Sequence, residues 1–84
     1  MDKHRKLLDH IMLKKGDANV PFVGLCQLLC HLGFDERIKG DHHIFTMAEV
    51  DEIINLQPKG SKAKPYQVKQ VRDLLLRYDL MFKE

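Results

Sequence analysis

The sequence predicts an α+β domain built on a three-stranded antiparallel sheet, and three features of it carry that prediction. Apolar residues recur at helical spacing in three segments: around Leu7 to Met12, from Phe22 to Leu32 and from Val68 to Tyr78. Between the second and third segments the period falls to two, as expected of half-buried strands. Glycine-centred turns separate these stretches, so the predicted order is α–α–β–β–β–α, with helices on one face of a short meander.

The opening segment, DKHRKLLDHIMLKK, gathers Leu7, Leu8, Ile11 and Met12 on one stripe and predicts the first helix. Gly16, Asp17 and Asn19 interrupt it. Asn19 or a neighbour is expected to cap the second helix, whose first turn accepts Pro21 because the N–H that proline lacks has no intrahelical acceptor there. In that helix Phe22, Leu25, Leu29 and Leu32 form the buried stripe, flanked by Leu28 and Cys26. Gly33 should end it in the left-handed conformation, with Phe34 as the apolar contact behind. Phe34, Glu36 and Ile38 alternate with Asp35, Arg37 and Lys39, which predicts a strand over 34–39. Gly40–Asp41 makes the turn and residues 42–46 return as its partner. Residues 47–52 read as a polar connection and 53–56 as a third strand, ended by Pro58, Gly60 and Ser61. The last helix starts near Pro65 and runs to about Tyr78, with Val68, Val71, Leu74, Leu75 and Tyr78 on one face.

Eighty-four residues fall below the usual domain size of ~100–150, so all elements must share one core. A hydrophobic fraction of 44% with 31% charged residues excludes a disordered or fibrous chain. No stretch approaches the ~20 apolar residues of a membrane span, and the first ten residues are too charged for a signal peptide, so a cytoplasmic location is expected. Cys26 and Cys30, one helical turn apart, would close almost no loop as a disulfide. The formal net charge of +2 points to no partner by itself. Locally, however, Lys59, Lys62, Lys64, Lys69 and Arg72 follow one another with no acidic residue between them, a patch suited to phosphate.

The chemistry concentrates in KGDHHIFTM, residues 39–47, where a glycine turn runs straight into His42 and His43. Imidazole exchanges protons near neutral pH, so either ring is a candidate acid or base. Adjacent strand residues point to opposite faces, so the two are not expected to act together; the bland reading is a pair of strand-end polar residues. Cys26, Cys30, His31, His42 and His43 supply enough soft donors for zinc, but no CxxC knuckle is present and His31 falls on the other side of the helix from the cysteines. No metal and no cofactor are therefore expected. Two thiols on a core-facing helix do not supply the electropositive setting of a nucleophilic cysteine, and Ser61, the one serine, lies in a lysine-rich loop. A histidine near the lysines of KGSKAK is instead the minimum equipment for metal-free RNA cleavage, in which imidazole takes the 2′-hydroxyl proton and cations stabilise the phosphate.

LCQLLCHLGF followed by RIKGDHHIF, a short strand and a closing amphipathic helix resembles the HicA toxins of toxin–antitoxin pairs. Leu29, Leu32, Gly33 and Phe34 match that family's L-x-x-L-G-F helix end, and Gly40, His42, His43 and Phe45 match its glycine–serine–histidine turn with a following aromatic. The resemblance spans residues 20–80, leaving 1–18 as a helical extension of a single domain over 1–84. It implies a double-stranded-RNA-binding-domain-like fold, mRNA cleavage by a histidine and silencing by a HicB-like antitoxin. On this basis His42 is the expected catalytic residue, with His43 the alternative if the register shifts by one, and Arg37, Lys39, Lys59, Lys62 and Lys64 are the expected RNA contacts. Two positions depart from the pattern. Asp41 replaces the usual serine and sets a carboxylate where phosphate must approach, and INLQPKG replaces a proline–x–histidine ending, with Gln57 or Lys59 as possible substitutes. The competing readings are a non-catalytic double-stranded RNA binder that grips phosphates through SKAK, and an adaptor that uses the first helix.

Overall fold

The computed structural model describes residues 3–80; the first two residues of the expected N-terminal extension and the last four of the chain lie outside the described residues. Helix α1 (Lys3–Met12) leads through a 3₁₀ turn, Asp17–Asn19, to helix α2 (Phe22–His31). Strands β1 (Asp35–Lys39), β2 (His42–Met47) and β3 (Val50–Leu56) form an antiparallel sheet in the order β1-β2-β3. A small hairpin of β4 (Pro58–Lys59) and β5 (Lys62–Ala63) precedes helix α3 (Pro65–Arg77). The α+β class, the three-stranded antiparallel sheet and the order of the three helices around it are as predicted.

The core lies between one face of the sheet and the helices. Phe45, Ile54 and Leu56 project into it from the strands, Leu25, Leu28 and Leu29 from α2, and Val68, Val71 and Leu75 from α3. The first helix is no appendage: Leu8 and Ile11 are buried in the same cluster. Gly24 lets α1 come close to α2, since a Cβ there would stand 3.3 Å from a methyl of Leu7.

Helix α2 ends as the sequence indicates. Gly33, at φ 109°, occupies the left-handed position, its N–H bonds to the Cys30 carbonyl, and the Phe34 N–H reaches back to Leu29, each at 3.0 Å. Its beginning differs from expectation. Pro21 is the N-cap, no side chain caps the helix, and the Phe22 N–H is satisfied by the Ser61 carbonyl at 3.0 Å, a partner 39 residues on in the sequence that no local pattern reveals.

Most of the expected connection over 47–52 is instead strand, with only Ala48 and Glu49 in the turn. Strand β2 continues to Met47 and β3 begins at Val50, with a register shift between Phe45 and Met47. That irregularity breaks the alternation that would betray a strand, and Glu52, charged and exposed, is held by an ion pair to Arg77 of α3. The β4–β5 hairpin also differs from the loop expected after β3. Gly60 takes φ 63° at the first turn position, as Gly40 does at φ 64° in the β1–β2 turn, and the second residue of each pair, Ser61 and Asp41, keeps negative φ. This is the glycine-first two-residue hairpin turn, and KGSK carried its signal.

Nor is Arg72 part of a basic surface. Its guanidinium is buried, bonded in parallel to both carboxylate oxygens of Asp17 at 2.8 and 3.1 Å and to the Ile11 carbonyl at 3.2 Å. Lys69 is paired with Asp73 on its own helix.

Candidate catalytic face

His42 and His43 occupy successive positions of β2 and leave it in opposite directions. His42 stands across from Lys39, and its near neighbour Ile44 stands between Arg37 and Asn55, so these residues share the sheet face opposite the one that carries Phe45, Ile54 and Leu56 into the core. His43 lies across from Ile38 and Leu56, on the face that carries Phe45 into the core.

Around His42 a chain of side chains decides the tautomer. Lys64 has only protons to give, and its Nζ donates to Gln57 Oε1 at 3.1 Å, which fixes the orientation of that amide. The Gln57 NH₂ group therefore faces His42 Nε2, 3.3 Å away, and that nitrogen must accept. The proton of the neutral ring then resides on Nδ1 and is donated to Asn55 Oδ1 at 3.1 Å. Gln57 is itself held by its backbone N–H, which donates to the Oε1 of buried Gln67 on α3 at 3.0 Å. The result is an imidazole whose Nε2 accepts, 45% of its side chain exposed, linked through Gln57 to Lys64 on one side and with the Asp41 carboxylate 3.8 Å away on the other.

Of the residues singled out from sequence, the fold brings Lys64 to His42 through Gln57, which thereby takes the substitute role considered for it. Arg37 and Lys39 are exposed on the same sheet face. Lys59 and Lys62 pair with each other across the β4–β5 hairpin, beside the start of α2, where Lys62 also bridges to Pro21. Asn55 carries no signal in the sequence, because its relation to the β1–β2 turn depends on the register of β3 against β2, which a period-two pattern does not specify.

His43 has different company. Its Nδ1 lies 2.8 Å from Glu36 Oε2 and 3.9 Å from the Cys26 sulfur, and Phe22 meets the ring edge-on at 4.8 Å. These groups border an open cavity of about 580 Å³ that Cys30 and His31 also line. His31, expected on the side away from the cysteines, thus faces the same cavity, where its ring stacks on His4 at 4.6 Å. Burial, and then the charge of Glu36, pushes the Cys26 thiol up to about 12 and the Cys30 thiol upward too. Neither is a ready thiolate, in keeping with the argument against a nucleophilic cysteine.

No helix among the described residues is long and apolar enough to cross a membrane. Compared with known protein families, curated proteins and solved structures, the chain matches no family model, no curated protein and no solved structure.

Proposed function

We propose that the chain is a HicA-like endoribonuclease, the toxin of a toxin–antitoxin pair, that cleaves mRNA in the cytoplasm with His42 as its acid–base group. The observation that carries the reading is the contact of His42 Nε2 with the Gln57 amide on the open sheet face, in a ring held by Asn55, Gln57 and Lys64. A 2′-hydroxyl that displaces the Gln57 amide would lose its proton to Nε2, and O2′ would attack the adjacent phosphorus as the P–O5′ bond breaks and the departing 5′-oxygen takes a proton from solvent. Lys64, freed from Gln57, and the neighbouring Arg37 and Lys39 would balance the growing phosphate charge, while Lys59 and Lys62 extend the cationic track. His43 is the weaker candidate, since Glu36 already occupies its Nδ1 on the opposite face. The fold belongs to the same proposal: two helices against a three-stranded meander is the arrangement of a double-stranded-RNA-binding domain, here with α1 added. A HicB-like antitoxin is the proposed partner, and covering the His42 face is how it would silence the enzyme.

The non-catalytic alternative needs the outer face of α2 to enter an RNA groove. Its Gly24 is covered by Leu7 of α1, which disfavours that use.

The test is cleavage of a mixed mRNA pool by the purified chain. Fragments ending in 2′,3′-cyclic phosphate are expected, in the presence or absence of EDTA, with His42→Ala slower by ~10²–10⁴-fold and unchanged in circular dichroism. Full activity of His42→Ala, or products with 3′-hydroxyl and 5′-phosphate ends, would remove this mechanism.

A further inference from the structure

On the side of the sheet away from His42, three donor atoms of different kinds meet. The Cys26 sulfur, a Glu36 carboxylate oxygen and His43 Nδ1 all lie within 4.8 Å of one another. The geometry points to a binding site for a zinc-class divalent ion, ligated by Cys26, Glu36 and His43 with Cys30 as the fourth donor. This goes beyond the RNA-cleaving face and does not rest on it.

The decisive detail is which imidazole nitrogen is used. A cysteine–histidine–carboxylate triad needs thiol and carboxylate on opposite ring nitrogens, so that one proton enters as the other is held. Here Nδ1 alone confronts both Cys26 at 3.9 Å and Glu36 at 2.8 Å. Convergence of all three donors on one point is useless for proton relay and is what a metal requires. Ordinary zinc–sulfur and zinc–nitrogen bonds at a tetrahedral angle place the two ligand atoms ~3.5 Å apart, so the Cys26–His43 pair at 3.9 Å needs a shift of roughly half an ångström, and the rest of the cluster closes from within 4.8 Å.

Cys30 completes the set. It lies one helical turn after Cys26, the same i, i+4 spacing by which two side chains of one helix share a zinc, and its sulfur is already 3.7 Å from the other oxygen of Glu36. The edge of Phe22 holds the His43 ring in its plane. Two sulfurs, one imidazole and one carboxylate favour zinc or cobalt over magnesium or calcium, which prefer oxygen alone. The cavity walls formed by Phe22, Val23 and Ile38 shield one side, and its open side is an entry path. On binding, each thiol gives a proton to solvent and its sulfur takes the metal bond, so no oxidant or further reactant is needed. The sequence concealed this site because one of its donors, Glu36, lies on a strand, and because no CxxC spacing marks the cysteines.

The experiment uses the full chain, reduced and stripped of metal, titrated with Co²⁺. One equivalent should bind and produce thiolate-to-cobalt charge-transfer absorption, which Zn²⁺ then abolishes mole for mole. Cys26→Ser and His43→Gln should each weaken binding by at least ~100-fold, more than the loss of an outer-shell contact, whereas His42→Ala should bind as the parent does. Should either variant fail to fold, the unaltered chain still decides: Zn²⁺ should slow alkylation of exposed Cys30 by ~10-fold or more, because a metal-bound thiolate is withdrawn from reaction. Cobalt bound without a sulfur charge-transfer band, binding retained by folded Cys26→Ser, or alkylation of Cys30 unaffected by Zn²⁺ would each overturn the proposal.

Discussion

His42 and His43 are neighbours in the chain yet serve different surroundings, because a strand turns successive side chains through about half a circle. At His42 the important quantity is the tautomer, which the Gln57 amide sets at Nε2 and Asn55 secures at Nδ1. Asn55→Ala removes the Nδ1–H acceptor, so Gln57 alone is left to hold the ring and its proton. The expected outcome is kcat lower by ~10–100-fold with KM little changed, as for other partners that orient a working imidazole; an equal loss in KM would instead mean that Asn55 binds RNA. Asp41 acts on the substrate. At ~4 Å in water-like surroundings a unit charge contributes about 1 kcal/mol, so Asp41→Ser should tighten RNA binding by roughly fivefold, most visibly at low salt. Unchanged affinity at low salt would show that the phosphate does not pass this carboxylate.

At the scale of elements, all three helices end in the same way, but one of them with glycine. After α1, Lys14 sits at φ 55° and the Lys15 N–H bonds to His10 at 3.1 Å; after α3, Asp79 sits at φ 54° and the Leu80 N–H bonds to Leu75 at 2.9 Å. These are the hydrogen bonds that Gly33 supports after α2. A side chain in the left-handed region costs about 1 kcal/mol that glycine avoids. Lys14→Gly and Asp79→Gly should therefore each stabilise the fold by ~0.5–1 kcal/mol in urea unfolding, since the gain in the native state exceeds the added freedom of the unfolded chain. The reverse change, Gly33→Ala, should destabilise. Thus the motif, rather than the residue, is what recurs.

At the scale of the whole molecule, the ion pair of Arg72 and Asp17 ties the last helix to the turn between the first two. Removing one member leaves the other without its counter-charge. Because the guanidinium is only 6% exposed, Asp17→Ala should lower stability by ~3 kcal/mol, seen as a drop in Tm of roughly 10 °C or more. The same pair makes stability depend on pH. Hydrogen bonds from Arg72 hold the Asp17 carboxyl below the usual carboxylate range. A depressed folded-state pKa means the unfolded chain binds protons first, so the contribution is complete above that range and disappears as pH falls through the lowered value. Urea midpoints measured from about pH 6 down to about pH 2 should fall less steeply in Asp17→Ala than in the parent; parallel curves would assign the acid sensitivity to other carboxylates. The exposed pair of Glu52 and Arg77 should contribute far less to both measurements.

Much of this was determined by the sequence alone, for a shared physical reason: the signals are local. Helical spacing in α1, α2 and α3, the Gly33 helix end, the Gly40 turn and the division of His42 from His43 all follow from backbone geometry over a few residues. Tertiary structure alone decided what depends on distant partners. The irregular β2–β3 register brought Asn55 and Gln57 to His42, and the packing of α3 placed Lys64 there. Arg72 left the apparent basic run because burial offered it Asp17 and the end of α1. Glu36 reached Cys26 and His43 because the sheet closes over α2, turning a solvent-seeming strand carboxylate into a donor beside a thiol. Periodicity says which face a side chain takes; only the assembled core says which atoms it meets there.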